Sequence, residues 1–219
     1  EFYPVDDGMI VQPTGNQSVE VYRGPNIGEP PKNTPMPSTL QARVSIKVGD
    51  KITTDHIMPA GPYLKYRSNV PKYSNYVFYH IDPEFAAKCR ENREKGFASV
   101  IVAGLSYGQG SSREHAALCP MYLGVRVLLA KSVERIHSAN LINFGILQLT
   151  FAEEADYDRI DSGDELAIDN IHEAVTQETV VVKNVSQGYD FLAKCNLTPR
   201  QREIVVCGGL LNYAGTESE

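Results

Sequence analysis

The residues best suited to chemistry in this chain lie in one stretch, YGQGSSREHAAL at 107–118. Two glycines precede Ser111, Ser112 and Arg113, and the apolar run at 99–104 before them is typical of a buried strand. Good helix formers follow. The hydroxyls and the guanidinium are therefore expected on a loop that leads into the positive end of a helix. Such a loop suits an anionic ligand, and it also suits a serine whose deprotonated form needs nearby positive charge.

The same stretch has a purely structural interpretation. Ser111 and Glu114 have the spacing of a capping box, in which a serine caps the helix that follows it. The glycines do not form a dinucleotide fingerprint, because the third glycine and the downstream acidic residue are missing, and no Gly-Lys-Ser/Thr follows as in a P-loop. Spacing alone therefore leaves both a helix cap and an anion-binding or catalytic site open.

Two further motifs accompany this stretch. TTDHIMPAG at 53–61 lies upstream, and the segment 130–147 contains AKS, RIH, NL and GIL in that order. Together the three motifs resemble the C-terminal swivel domain of the aconitase family, over about residues 44–169. The resemblance implies an α/β fold of the swivelling β/β/α type, with mixed sheet layers and flanking helices.

The resemblance also implies an activity and a set of site residues. Aconitases are hydro-lyases that interconvert citrate and isocitrate through cis-aconitate. By resemblance, Ser111 is the base that removes the carbon-bound proton, and Ser112 and Arg113 bind substrate carboxylates. Arg67 matches the other substrate-binding arginine of this domain, a role that suits a guanidinium because it can donate two hydrogen bonds to one carboxylate. Asp55 matches an active-site aspartate that could orient Arg113.

Plain structural alternatives stand beside these roles. Asp55 could be a helix or turn cap, and Arg67 could be a solvated surface side chain. Met58 stands where many aconitases have a serine, and Gln109 replaces a frequent glutamate. Both departures suit a compact bacterial-type aconitase.

The [4Fe–4S] cluster of the family is liganded by other domains, so we expect this chain alone to bind no cluster and to be inactive without them. Its four cysteines are widely scattered and lack Cys-x-x-Cys spacing, so no metal site is predicted. His56 and His115 are interpreted as structural hydrogen-bonding groups, and His80, His137 and His172 carry no functional signal. The expected partners are citrate, isocitrate and cis-aconitate, together with N-terminal cluster-binding domains in the same polypeptide or in a large subunit.

Two other functions remain open. The small subunit or domain of 3-isopropylmalate or homoaconitate isomerase shares the Gly-Ser-Ser-Arg-Glu-His sequence, but an apolar substituent on the substrate calls for an apolar loop. The extra carboxylate of citrate calls for a cation, so Arg67, with Lys65 nearby, favours citrate. A non-catalytic relative that binds RNA or an anion is the alternative from another class.

Composition argues against several partners and locations. The net charge of −6 and the pI near 5.4 argue against nucleic acid, which favours a basic surface. No apolar run approaches the length of a membrane span and no signal-peptide pattern opens the chain. We therefore expect no membrane partner and a cytoplasmic location.

The chain divides by composition into two parts. Residues 1–40 hold seven of the thirteen prolines, so they are predicted to form an extended linker, or strap, with at most a short edge strand at 18–22. Residues 41–219 are predicted to form the swivel domain, with a long functional loop at 53–76. Because the first residue is not Met, we expect a fragment of a longer polypeptide, with a processed small subunit as the alternative. The predicted strands are 43–48, 99–104, 126–130, 146–150, 165–168 and 179–183, and the predicted helices are 82–95, 112–122, 132–141, 153–160 and 198–215.

Overall fold

The computed structural model describes residues 3–4, 6–13, 15, 18, 20 and 22–216. Seven strands form one mixed sheet. They are β1 (Leu40–Val48), β2 (Ala98–Ala103), β3 (Val125–Ala130), β4 (Leu147–Phe151), β5 (Glu165–Ile168), β6 (Thr179–Asn184) and β7 (Tyr189–Lys194).

The sheet closes into a barrel in the order β1-β2-β3-β4-β7-β6-β5, because β5 pairs back onto β1. Strands β1 to β4 run parallel, and the remaining pairs are antiparallel. Within β2, Val100 and Val102 belong to an apolar cluster drawn from all seven strands, whereas Ile101 and Ala103 belong to a second cluster. Both faces of this strand are thus buried, which explains its four consecutive apolar residues at 100–103.

The second cluster lies between the outer face of β1–β3 and the helices that cover it. The helices are α1 (Thr54–Ile57), α2 (Val70–Tyr73), α3 (Phe85–Glu94), α4 (His115–Leu123), α5 (Arg135–Asn143), α6 (Ile171–Ala174), α7 (Pro199–Val206) and α8 (Leu210–Thr216). Short 3₁₀ segments occupy Gly61–Tyr66, Ser74–Tyr76 and Glu154–Tyr157. Within the described part of the chain, every helix is too short or too polar to cross a membrane.

The predicted fold class is confirmed: the domain is mixed α/β, with a mixed sheet and flanking helices. All six predicted strands are present within about three residues of their expected bounds, but β7 was missed. The division into 1–40 and 41–219 stays a prediction. The edge strand expected at 18–22 includes residues 19 and 21, which lie outside the described residues.

Two local predictions were wrong for reasons of packing. The segment 53–76 was expected to be a loop, but it folds into α1, α2 and 3₁₀ turns that bury Ile57 and Tyr73 in the second cluster. The single helix expected at 198–215 is two helices. Gly208 and Gly209 separate them with φ values of +89° and +125°, which are outside the helical region.

Two predicted helix starts were also wrong. Helix α4 begins at His115, four residues after Ser111, and its first turn has no side-chain cap. Ser111 is therefore not an N-cap. Helix α5 begins at Arg135, and the Ser132 hydroxyl accepts a hydrogen bond from the amide of Ser106 at 2.7 Å.

Candidate active site

The two main motifs follow adjacent parallel strands, β1 and β2, so their loops meet at the same edge of the sheet. The Leu105 amide donates to Asp50 Oδ1 at 2.7 Å, and the Lys51 amide donates to the Leu105 carbonyl at 2.7 Å. Gly104 lies between these contacts, and a Cβ at this position would come 2.0 Å from Asp50 Oδ1. The sequence therefore needs glycine where the two loops cross.

Further hydrogen bonds join the loops along their length. The Gly108 amide donates to the Ile52 carbonyl at 2.7 Å, and the Thr54 amide donates to the Gln109 carbonyl at 2.8 Å. The Thr54 hydroxyl donates to the Ser111 carbonyl at 3.1 Å. These contacts hold the Ser111 loop directly against helix α1.

A buried histidine supports the glycine loop from below. Gly108 has φ +88°, and a Cβ on it would come 2.4 Å from the His137 ring. His137 is 1% exposed, and neither ring nitrogen has a hydrogen-bond partner within the described residues. Burial lowers the pKa of His137 to about 4, so the ring is neutral at pH 7. This residue carried no functional signal in the sequence, because its role depends on a contact 29 positions away.

Asp55, Arg113 and Ser111 form one connected unit. Arg113 Nη1 lies 2.6 Å from Asp55 Oδ1, and Nη2 donates to Asp55 Oδ2 at 3.1 Å. The guanidinium thus meets the carboxylate with two contacts. Arg113 Nε also donates to Ser111 Oγ, at 3.4 Å. The cap of helix α1 is Thr53, so Asp55 is not a helix cap here.

Arg67 reaches the same region from the segment that follows α1. Its carbonyl accepts a hydrogen bond from His115 Nε2 at 2.8 Å, which ties the Arg67 loop to helix α4. Its side chain is exposed and has no ion pair or hydrogen bond within the described residues. Arg67 is therefore a free cation, whereas Arg113 is already paired with a carboxylate.

The side chains of Arg67 and Arg113 border a cleft of about 400 Å³. Tyr73 forms part of its wall and donates its hydroxyl hydrogen to the Pro59 carbonyl at 3.0 Å; burial raises the pKa of this phenol. Met58, 1% exposed, contributes an apolar wall. The residues that line the cleft are Met58, Ala60, Leu64, Arg67, Tyr73, Ser112, Arg113, Glu114 and His115.

The structure brings all five predicted site residues together. Arg67, Ser112 and Arg113 line the cleft, and Asp55 and Ser111 join it through Arg113. Both serines are exposed. Lys65 does not line the cleft, and its Nζ lies 5.1 Å from the centre of the Tyr66 ring. Sequence reasoning missed Tyr73, whose only signal was its place in a segment rich in tyrosine and proline.

The histidines and cysteines take structural positions. His56 Nδ1 accepts from the Thr53 amide at 3.1 Å and completes the capping box of α1. Cys89, Cys119 and Cys195 are buried, and burial raises the pKa of all three thiols. Within the described residues, no group of three or more His, Cys, Asp or Glu side chains could hold a metal ion.

Comparison with known proteins identifies the family. The model of the aconitase C-terminal domain matches residues 49–154. The crystal structure of a 3-isopropylmalate dehydratase from Methanocaldococcus jannaschii is 31% identical in sequence, and the match covers 82% of this chain and 95% of that one, with a TM-score of 0.63. The chain belongs to the aconitase C-terminal domain family.

Curated relatives of this aconitase C-terminal domain include enzymes with different names. A probable mitochondrial aconitate hydratase of Dictyostelium discoideum is 38% identical over 81% of this chain and 26% of its own length. A mitochondrial homocitrate dehydratase of Saccharomyces cerevisiae is 31% identical over 98% of this chain and 30% of its own length. The chain thus spans less than a third of these relatives.

Proposed function

We propose that this domain is the C-terminal part of an aconitate hydratase, which interconverts citrate and isocitrate through cis-aconitate. The observation that carries the proposal is that Arg67 and Arg113 line one cleft, and that Arg113 Nε donates a hydrogen bond to the hydroxyl of Ser111 next to this cleft. Two separated cations suit a ligand with several carboxylates. The curated relative named aconitate hydratase supports the same reaction.

In this proposal Ser111 is the base. Arg113 Nε stabilises the serine alkoxide through charge and a hydrogen bond, as donors do in an oxyanion hole. Asp55 fixes the guanidinium by its two contacts, so it acts on the reaction through Arg113. Arg67, Ser112 and Arg113 bind the substrate carboxylates.

The departing hydroxide needs a Lewis acid, which the [4Fe–4S] cluster of the family would supply from other domains. The described residues do not fit such a cluster, because the cysteines are separate and no group of three candidate ligands exists. No step assigned to this chain passes through the cluster. We propose that cluster-binding domains, in the same polypeptide or in a large subunit, complete the site.

A second candidate is the corresponding part of a 3-isopropylmalate or homoaconitate isomerase. Met58, Ala60 and Leu64 line the same cleft and give it an apolar side, which favours a substrate with an alkyl substituent. The structure of a 3-isopropylmalate dehydratase is also similar to this chain.

We also propose a cytoplasmic location for this protein. The two curated relatives described above are named as mitochondrial enzymes, which argues against this location.

Kinetics of Arg67→Lys in the enzyme completed with its cluster-binding domains test the proposal. Lysine keeps the charge but loses the planar fork, so binding of citrate should weaken by about 1–3 kcal/mol. Most of this loss should appear in KM if the contact is equally strong in ground and transition states. An unchanged KM for citrate and isocitrate, or turnover of 3-isopropylmalate in preference to both, would contradict the assignment.

A further inference from the structure

Among the described residues of the strap, one set of contacts with the domain lies around Arg126 and another lies beside Arg67. Arg126, at the start of β3, is 7% exposed, and its guanidinium donates to Asn33 Oδ1 and to the carbonyls of Thr34 and Pro35, the latter two at 2.7 and 2.9 Å. The buried guanidinium has no carboxylate partner within the described residues, so these neutral acceptors of the strap are what compensate its burial. This contact fixes the strap at the amino-terminal edge of the parallel strands.

Other contacts strengthen the same anchor. The Met36 amide donates to the Val206 carbonyl at 2.8 Å, and His172 Nε2 donates to the Met36 carbonyl at 2.7 Å. Met36 is 3% exposed and belongs to the cluster inside the barrel. Residues 33–36 of the strap are therefore anchored by several hydrogen bonds and by the buried side chain of Met36.

The second contact lies beside Arg67. The Gly28 amide donates to the Ser68 carbonyl at 2.8 Å, one residue after Arg67. Gly28 also packs closely on Asn69, since a Cβ on Gly28 would lie 3.4 Å from the Asn69 Cα. Because Pro30 and Pro31 fix φ between the two contacts, the intervening chain has little freedom to absorb a displacement.

We propose that the strap is a positioning element for Arg67, and that the Gly28 amide is the group through which it acts. The Arg67 side chain has no partner of its own within the described residues, so its placement depends on its main chain. Within its own turn, that main chain is held by the Arg67 amide, which donates to the Leu64 carbonyl at 3.1 Å, and by the Asn69 amide, which donates to the Tyr66 carbonyl at 2.7 Å. From outside the turn it is held by His115, through the Arg67 carbonyl, and by Gly28, through the Ser68 carbonyl. The Gly28 hydrogen bond thus links the backbone of the strap to the segment that carries Arg67, the free cation of the cleft.

Amide hydrogen exchange on the unmodified chain gives a direct test. The Gly28 amide should exchange at least about 10-fold more slowly than the amide of Gly24, which has no hydrogen bond within the described residues. Equal exchange rates at the two glycines would overturn the proposal. This measurement needs no substitution, so it holds even if a variant fails to fold.

Variants then test the effect on Arg67. Gly28→Pro removes the N–H donor, whereas Gly28→Ala keeps it, and Gly24→Pro places the same residue elsewhere on the strap. Gly28→Pro should speed exchange of the Arg67 and Asn69 amides by about 10-fold, and it should raise the KM for citrate, measured in the enzyme completed with its cluster-binding domains, by about 3- to 10-fold. The two other variants should stay within about twofold of the unmodified chain. Unchanged exchange in Gly28→Pro would overturn the positioning role.

The citrate measurement rests on the proposed function, so Arg67→Gln is included to separate the two ideas. Weaker citrate binding in Arg67→Gln but not in Gly28→Pro would overturn the positioning role and leave the proposed function standing. If Arg67→Gln has the same KM for citrate as the unmodified enzyme completed with its cluster-binding domains, the proposed function fails. Exchange of the Arg67 and Asn69 amides in Gly28→Pro then decides on the positioning role alone.

Discussion

Replacing Ser111 with alanine should leave the free energy of unfolding of the domain almost unchanged, but it should greatly lower the kcat of the completed enzyme. The Ser111 side chain is exposed, and its one described hydrogen bond comes from Arg113 Nε at the long distance of 3.4 Å. Helix α4 begins at His115 without a side-chain cap, so no cap is lost. The free energy of unfolding should therefore change by less than about 0.5 kcal/mol, as for surface substitutions without special contacts.

Thr198→Ala provides the matched control for stability. Thr198 is a true cap, because its hydroxyl accepts from the Gln201 amide and the Gln201 side chain accepts from the Thr198 amide. Its loss should cost about 0.5–2 kcal/mol in urea unfolding. Its effect on turnover should be small, since α7 lies away from the cleft residues.

Activity is measured in the enzyme completed with the proposed cluster-binding domains. If Ser111 is the base, Ser111→Ala should lower kcat by several decades and leave KM nearly unchanged, because the oxygen matters mainly in the transition state. A variant that keeps more than about a tenth of kcat has lost less than about 1.4 kcal/mol of barrier reduction. That result would refute the assignment of Ser111 as the base. Another residue would then have to be the base, and Ser111 would have neither a catalytic nor a capping role.

Two further predictions concern charge. The Asp55 side chain is 61% exposed in its ion pair, so Asp55→Asn should lower the free energy of unfolding in urea by less than about 1 kcal/mol. The kcat should nevertheless fall at least about 10-fold, because Arg113 loses the carboxylate that orients it. An unchanged kcat would contradict this role of Asp55. For His137, the folded pKa of about 4 lies below the ordinary 6.5, so the unfolded chain takes up the proton first and stability falls as pH falls from about 6.5 to 4. The loss should be on the order of 3 kcal/mol by urea unfolding, and His137→Gln should remove most of it; parallel pH profiles would show that His137 is not the cause.

Strands buried on both faces could be predicted from the sequence, and elements that depend on distant contacts could not. The run at 100–103 is apolar at every position because its alternate side chains face two different cores. Strand β7 is harder to recognise, since only Phe191 and Ala193 are fully buried, Tyr189 is partly buried, and the other three side chains are exposed. Its polar residues resemble those of a surface turn.

Two serines with the sequence signal of a helix cap show that distant contacts also limit what can be predicted for single residues. Ser111 and Ser132 both precede helix-forming sequences, but neither caps a helix, and Ser132 bonds an amide 26 positions away. A serine that caps and a serine that closes a distant turn have the same local sequence signal. Likewise, the Gly208–Gly209 pair marks a break, but only the structure places the Thr34 carbonyl 2.4 Å from a Cβ on Gly208.

The composition of the site could be predicted further than its electrostatics. Motifs after adjacent parallel strands must meet, so the proximity of Asp55 and Arg113 follows from the order of elements. The sequence does not say which arginine keeps its charge available. Because Asp55 already pairs with Arg113, an approaching anion is attracted mainly by Arg67, whose side chain has no partner in the described structure. Loss of Arg67 should therefore weaken binding, whereas loss of Asp55 should mainly slow the proposed proton transfer at Ser111, because Asp55 acts only by orienting Arg113.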